Sequence, residues 1–226
     1  MNKSSKRSRG GRRPTARKNL LNAAYKIMGV RGFDGSTLAE IIQVAGVGVG
    51  SFYNNFNSKE ELARDAFAEH IEEFGEELLE VVRKCPDAAA ATCYAVRRMI
   101  QEAERDESWA WFIVNLEPST SLFHEIMRPH ALEGMQIGIK SGEFRVDDVE
   151  AAVIAIHAIE VAMVKAMLQG KTSSRATHRS IAMPLQMFGV PRRRAIYLAN
   201  LSMPALYREV TKQPNCSGKR PRRMTD

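Results

Sequence analysis

Cysteine is scarce in this 226-residue chain: Cys85, Cys93 and Cys216 stand scattered, without a CxxC pair. An odd, scattered set makes no disulfide framework and fits a reducing cytoplasm. Apolar runs approaching the ~20 residues of a membrane span are missing as well. The most apolar segment, Val149 to Leu168, is interrupted by Glu150, His157, Glu160 and Lys165. Met1 to Lys18 is rich in Lys, Arg, Ser and Gly with no apolar segment behind it, which excludes a secretory signal. Neither β-type alternation nor an internal repeat occurs. The sequence contains no HExxH, no GxSxG, no constellation of paired carboxylates and no nucleotide loop, so it reads as a non-enzyme. His124 and His130 are six residues apart, a spacing that gives metal binding little support. No metal or cofactor is expected.

Acidic residues are also absent from residues 1–14 (MNKSSKRSRGGRRP), and the charge of the chain is lopsided as a result. Residues 1–65 hold 12 basic and 5 acidic residues and carry the whole net charge of +7, while the other 161 residues hold 21 of each sign. A positive excess confined to one end points to an anionic partner, with nucleic acid first. The overall composition, 44% hydrophobic and 26% charged, is that of a soluble globular protein.

Beyond the basic arm, apolar residues recur at helical spacing. Leu20, Leu21, Ala24, Ile27 and Met28 form one apolar stripe after Pro14 and Thr15, and Arg31 and Gly32 are stop signals. Thr37 with Glu40 makes a capping box for a short helix, Leu38 to Val44. Gly46 suits the tight turn before a third short helix, Gly48 to Phe56. Ser58 with Glu61 is a second box, opening a helix to about Lys84. Further helices are predicted over Ala88–Arg105, Ser108–Leu116, Ser121–Ser141 and Val149–Leu168. Residues 171–179 read as a polar loop, and Pro191–Val210 as a last helix bent at Pro204. The fold class is all-α. The expected organisation is a disordered basic arm (1–14), a three-helix helix-turn-helix domain (15–65), a helical bundle for ligand binding and dimerisation (66–211) and a basic disordered tail (212–226).

Two short helices joined by a Gly-containing turn are the geometry that places a second helix in the major groove of DNA. Phe52 and Phe56 would anchor that helix, leaving Val49, Ser51, Tyr53, Asn54 and Asn55 to face outward. Asn can pair with adenine, and Val or Ser can meet a thymine methyl. No Arg or Lys lies between Arg31 and Lys59, so affinity has to come from flanking charge: Arg17, Lys18, Lys59 and the arm with Arg12 and Arg13. The GVGVGS run is no phosphate loop, because it lacks the GK[ST] ending and no strand precedes it.

The stretch from Thr37 to Leu62 resembles the N-terminal domain of the TetR family, whose pattern is a Thr followed by IA..AGVS.GTLY.HF.SKE.L. Arg17, Leu20, Leu21, Ala23, Ala24, Gly32 and Phe33 match the helix that precedes it. Two departures are Gly48 for the usual Ser and Asn55 for the common His. The resemblance implies that Thr37, Tyr53 and Lys59 contact phosphates, with Val49, Ser51, Asn54 and Asn55 nearest the bases. It implies a cytoplasmic homodimer on double-stranded DNA with a palindromic operator, acting as a repressor released by a small apolar or aromatic effector. The last two long helices would then form the dimer interface, and the apolar character of Val149–Leu168 agrees. Tyr94, Met99, Trp109, Phe112, Phe123, Met127, His130, Met135 and His157 are the candidates to line an effector pocket. The alternatives are an all-α ligand carrier or enzyme with a residual DNA-binding fold, and a protein-interaction module that has lost DNA binding.

Overall fold

The structure, a computed structural model, describes residues 15–211, and only the backbone of residues 70–77 and 117–120. The predicted basic arm with Arg12 and Arg13, and the tail 212–226, lie outside the described residues. Among the described residues every regular element is a helix, as the sequence predicts.

Helix α1 (Ala16–Arg31) starts where the Thr15 hydroxyl accepts from the Lys18 N–H, and stops at Gly32 with φ 73°. In α2 (Leu38–Ala45) both arms of the Thr37–Glu40 capping box are made. Gly46 then takes the left-handed conformation (φ 66°, ψ 35°) that the turn requires. The third helix, α3 (Val49–Tyr53), ends three residues earlier than predicted, where the Asn55 N–H turns to the Phe52 carbonyl, and Gly48 gives its start no side-chain cap. Helix α4 (Lys59–Lys84) is capped by Ser58, but Glu61 reaches back to the backbone and side-chain amides of Asn57, one residue beyond the cap.

Helices α5 (Ala88–Arg105) and α8 (Val149–Leu168) have the predicted bounds, each opened by an Asp that accepts the N–H three residues on. Helix α6 (Glu107–Thr120) continues through Pro118, and α7 (Leu122–Ser141) holds Pro129 within it.

The C-terminal part differs from the prediction. The expected polar loop contains α9 (Ser174–Arg179), capped by Ser173 and tied to α5 by Ser174 and His178, both of which meet Glu104. A further helix, α10 (Ala182–Met187), comes next. The single bent helix is in fact two, α11 (Arg192–Asn200) and α12 (Met203–Thr211). They part at Leu201, which is extended (ψ 147°), and not at Pro204, which sits harmlessly in the first turn of α12. Buried Arg97 of α5 holds the break by donating to the carbonyls of Leu198 (3.4 Å) and Leu201 (2.6 Å).

Two cores result. One gathers Leu20, Leu21, Met28, Ile41, Phe52, Phe56 and Phe67 with Trp109, Phe112 and Leu116 of α6, so it runs without interruption past residue 65. The other joins α5 and α8 to α10, α11 and α12 through Ile100, Ile156, Leu185, Phe188, Leu198 and Leu206. Helix α8 is long and apolar enough to span a membrane, contrary to the expectation that no segment is. Its packing against α6 and α7, with His157 buried, is that of a bundle helix.

Candidate nucleic-acid interface and ligand cavity

The α2–turn–α3 unit presents a small outward face. Val49 is 59% and Tyr53 60% exposed, Asn54 is exposed and Ser51 half-buried, while Phe52 and Phe56 fix the helix from below. Asn55 is half-buried, and its side-chain amide donates to the Ser51 carbonyl at 2.7 Å, so it braces its own helix end. Added Cβ atoms at Gly48 and Gly50 would meet nothing within 4 Å. The fold itself therefore does not demand glycine at either position; close approach of a duplex to the backbone would. Gly50→Ala is expected to leave stability equal or raise it, by up to ~1 kcal/mol, while weakening DNA binding. Parallel urea denaturation and DNA titration check this.

Of the three predicted cations among the described residues, two are engaged. Lys59 donates to the carbonyls of Phe33 (2.8 Å) and Ser36 (2.9 Å), with its ammonium 4.0 Å from the Phe33 ring centre. It thereby fastens the α1–α2 loop to the start of α4. Arg17 pairs with Asp65 at 2.6 Å and lies over the Phe56 ring. The Thr37 hydroxyl serves the capping box, while Lys18 is exposed. Val44, 59% exposed at the end of α2, borders a surface depression with Lys26, Ile27 and Val30 of α1.

A cavity of about 120 Å³ opens between α4, α5, α7 and α8, closed by Phe188 at the end of α10. Five of the predicted residues line it: Met99, Met127, His130, Met135 and His157. Trp109 and Phe123 instead line a smaller space of about 20 Å³ that shares Met99 and Glu160 with the first. Tyr94 and Phe112 belong to the cores. Tyr94 packs on Tyr207, with ring centres 5.9 Å apart, and Phe112 lies between Tyr25 (5.2 Å) and Phe67 (6.5 Å). Helical periodicity marks all of these residues as inward but does not distinguish packed neighbours from the walls of a void.

His157 sits with its Nδ1 3.0 Å from Nδ1 of His124, so one of the two rings supplies the hydrogen. Burial, followed by the repulsion of His124, pushes His157 down to about 4 and keeps it neutral. Glu160, which sequence reasoning misses as a site residue, is pushed up to about 8 by burial. Its only signal in the sequence is an acid in the middle of an apolar helix. The unfolded carboxyl titrates near 4.5 and the folded one near 8, so this group's contribution to stability is fully present below pH 4.5 and declines as pH rises to about 8. Glu160→Gln is expected to remove that decline, matching the unaltered protein at pH 4.5 and exceeding it at pH 8.5 in denaturant midpoint. Burial likewise raises the free thiols Cys85 and Cys93, the latter to about 12, which leaves both unreactive. Among the described residues no group of three His, Cys, Asp or Glu side chains is placed to hold a metal.

The smaller space, which adjoins the cavity at Met99 and Glu160, is walled by the helix that supports α1. Trp109 and Ile113 of α6 border the smaller space. The same helix grips α1: Asn115 donates to the Gly29 carbonyl at 2.7 Å, and Gly29 lies against Phe112. The Tyr25 hydroxyl of α1 reaches Asp106 at 3.2 Å, the residue joining α5 and α6.

Comparison with known proteins agrees with this architecture. Residues 20–66 match the family described as bacterial regulatory proteins, tetR family, and residues 87–200 match the tetracyclin repressor-like C-terminal domain. RolR in complex with resorcinol is 25% identical with a TM-score of 0.67, covering 83% of this chain and 94% of that one. A protein described as a tetR-family transcription regulator from Shewanella sp. PV-4 is 20% identical (TM-score 0.59), covering 82% of this chain and 96% of that one. FadR from Bacillus subtilis, in complex with stearoyl-CoA, is also 20% identical (TM-score 0.57), covering 75% and 96%. No curated protein matches the chain. The chain belongs to the TetR family of transcriptional regulators.

Proposed function

We propose that this chain is a cytoplasmic homodimeric repressor that grips a palindromic operator with its two α3 helices and releases it when a small apolar or aromatic molecule fills the cavity. The observation that carries this reading is the double role of α6, which walls the smaller space adjoining the ligand cavity with Trp109 and Ile113 and holds α1 through Asn115 and Phe112. Displacement of α6 by a ligand would be passed to the DNA-binding helices. The ligand acts through its difference in affinity for two arrangements; a 100-fold preference supplies roughly 2.7 kcal/mol.

Size narrows the effector class. An apolar cavity of ~150 Å³ takes one benzene ring, and the space here is of that order, far short of a long acyl chain. The likeness to RolR with its resorcinol supports the single ring. A dimer is supported by α8, of whose most apolar stretch only 22% is buried within the chain. Exposed Ile154 of α8 and Met183 and Met187 of neighbouring α10 form the surface a second copy would cover. The basic arm and Lys18 would supply phosphate attraction.

Selection of bound sequences from random duplex DNA by the full chain tests the reading. The expected product is an inverted repeat with half-sites about one helical turn, ~34–36 Å, apart. Absence of any enriched sequence would instead favour an interaction module that has lost DNA binding.

A further inference from the structure

Glu160 is out of keeping with its helix. It lies on α8, between the two apolar spaces, and is part of the wall of both. Among the described residues it has no hydrogen-bond or ion-pair partner, and neither space is lined by Lys or Arg. Its neighbour one turn earlier, His157, already turns Nδ1 to His124. A half-buried carboxyl on an apolar wall without a partner is costly to keep. On the wall of the smaller space stands a second unmet demand: Trp109 is buried, and its indole N–H has no acceptor. Two polar groups that the fold does not satisfy thus border the same void.

We infer that Glu160 and Trp109 form the recognition subsite for a ring hydroxyl, which makes the effector a neutral phenol carrying one or two hydroxyl groups. The inference rests on the ligand-responsive function proposed for the cavity. A hydroxyl fits both partners because its oxygen accepts, from the indole N–H or from a protonated carboxyl, and its hydrogen donates to a carboxyl oxygen. A ring carboxylate finds no Lys or Arg in either space and would face a second acid. A bare hydrocarbon ring fills the volume but leaves both polar groups unmet.

Calorimetric titration of the full chain with phenol, resorcinol, toluene, benzoate and benzylamine tests this. The hydroxylated rings are expected to bind at least about tenfold tighter than toluene, the worth of a hydrogen bond or more, and benzoate is expected not to bind. Glu160→Leu should bring phenol within about threefold of toluene while toluene still binds, which shows the cavity intact. Glu160→Gln, which can still donate and accept, should keep the preference, and Trp109→Phe should weaken it. Toluene binding the unaltered chain as tightly as phenol, benzylamine binding tightest, or a Glu160→Leu protein that keeps its preference would each overturn the subsite and leave the ligand cavity standing. No binding by any of the five would overturn the ligand reading and the subsite together.

Discussion

A Gly134→Phe protein is expected to ignore the effector and yet hold its operator as tightly as the unaltered chain, because the plug sits in the larger cavity, which α6 does not line, and leaves α6 in place. Gly134 lies on α7 in the wall of the larger cavity, and a Cβ built there meets no atom within 4 Å. A benzyl group growing from that position enters a space of about 120 Å³, close to its own size. Replacing a glycine inside a helix also removes a cost of ~1 kcal/mol, so the plugged protein should be no less stable than its parent. Effector affinity should fall by at least about a hundredfold, since ring and plug cannot share the volume. Anisotropy of labelled operator, titrated with effector, reads both quantities. Release at the parental effector concentration would mean that the molecule binds elsewhere.

Truncating Phe112 should have the largest effect on stability. Its side chain is fully buried between Tyr25 of α1 and Phe67 of α4, and it backs Gly29 where α1 packs on α6. Phe112→Ala is expected to cost ~3–5 kcal/mol, a large part of the ~5–15 kcal/mol that holds a domain together. DNA binding should be lost with it at moderate temperature, because the core it empties also supports Phe52 and Phe56. Phe112→Leu should recover most of the stability. Urea denaturation of both variants checks this. A stable Phe112→Ala protein with altered effector preference would instead return Phe112 to the pocket, where its sequence context puts it.

The DNA-binding end is legible in the sequence because its signals are local. Thr37 and Glu40, Gly46, and Ser58 settle their turns within four residues, and Asp148 does the same for α8. Sequence and structure part where distant groups decide. Residues 174–179 look like a polar loop, but Glu104 of α5 accepts from Ser174 and meets His178, and Thr177 is buried. The break between α11 and α12 is held by Arg97, about a hundred residues away in sequence. The place of Lys59 in its motif suggests a phosphate ligand, whereas its position over Phe33 depends on how the α1–α2 loop folds back. Glu160 is visible in the sequence only as an interruption of a membrane span; that it borders a void becomes apparent only when α5, α6, α7 and α8 are brought together.

Cavity and DNA face are proposed to be coupled through α6, and linkage gives this central claim a direct test. Effector affinity should be measured by titration calorimetry on the free dimer and again on the dimer saturated with its selected operator. The account predicts weaker binding to the DNA-bound protein, by the same factor by which saturating effector weakens the operator complex. Equal effector affinity in the two states would contradict it.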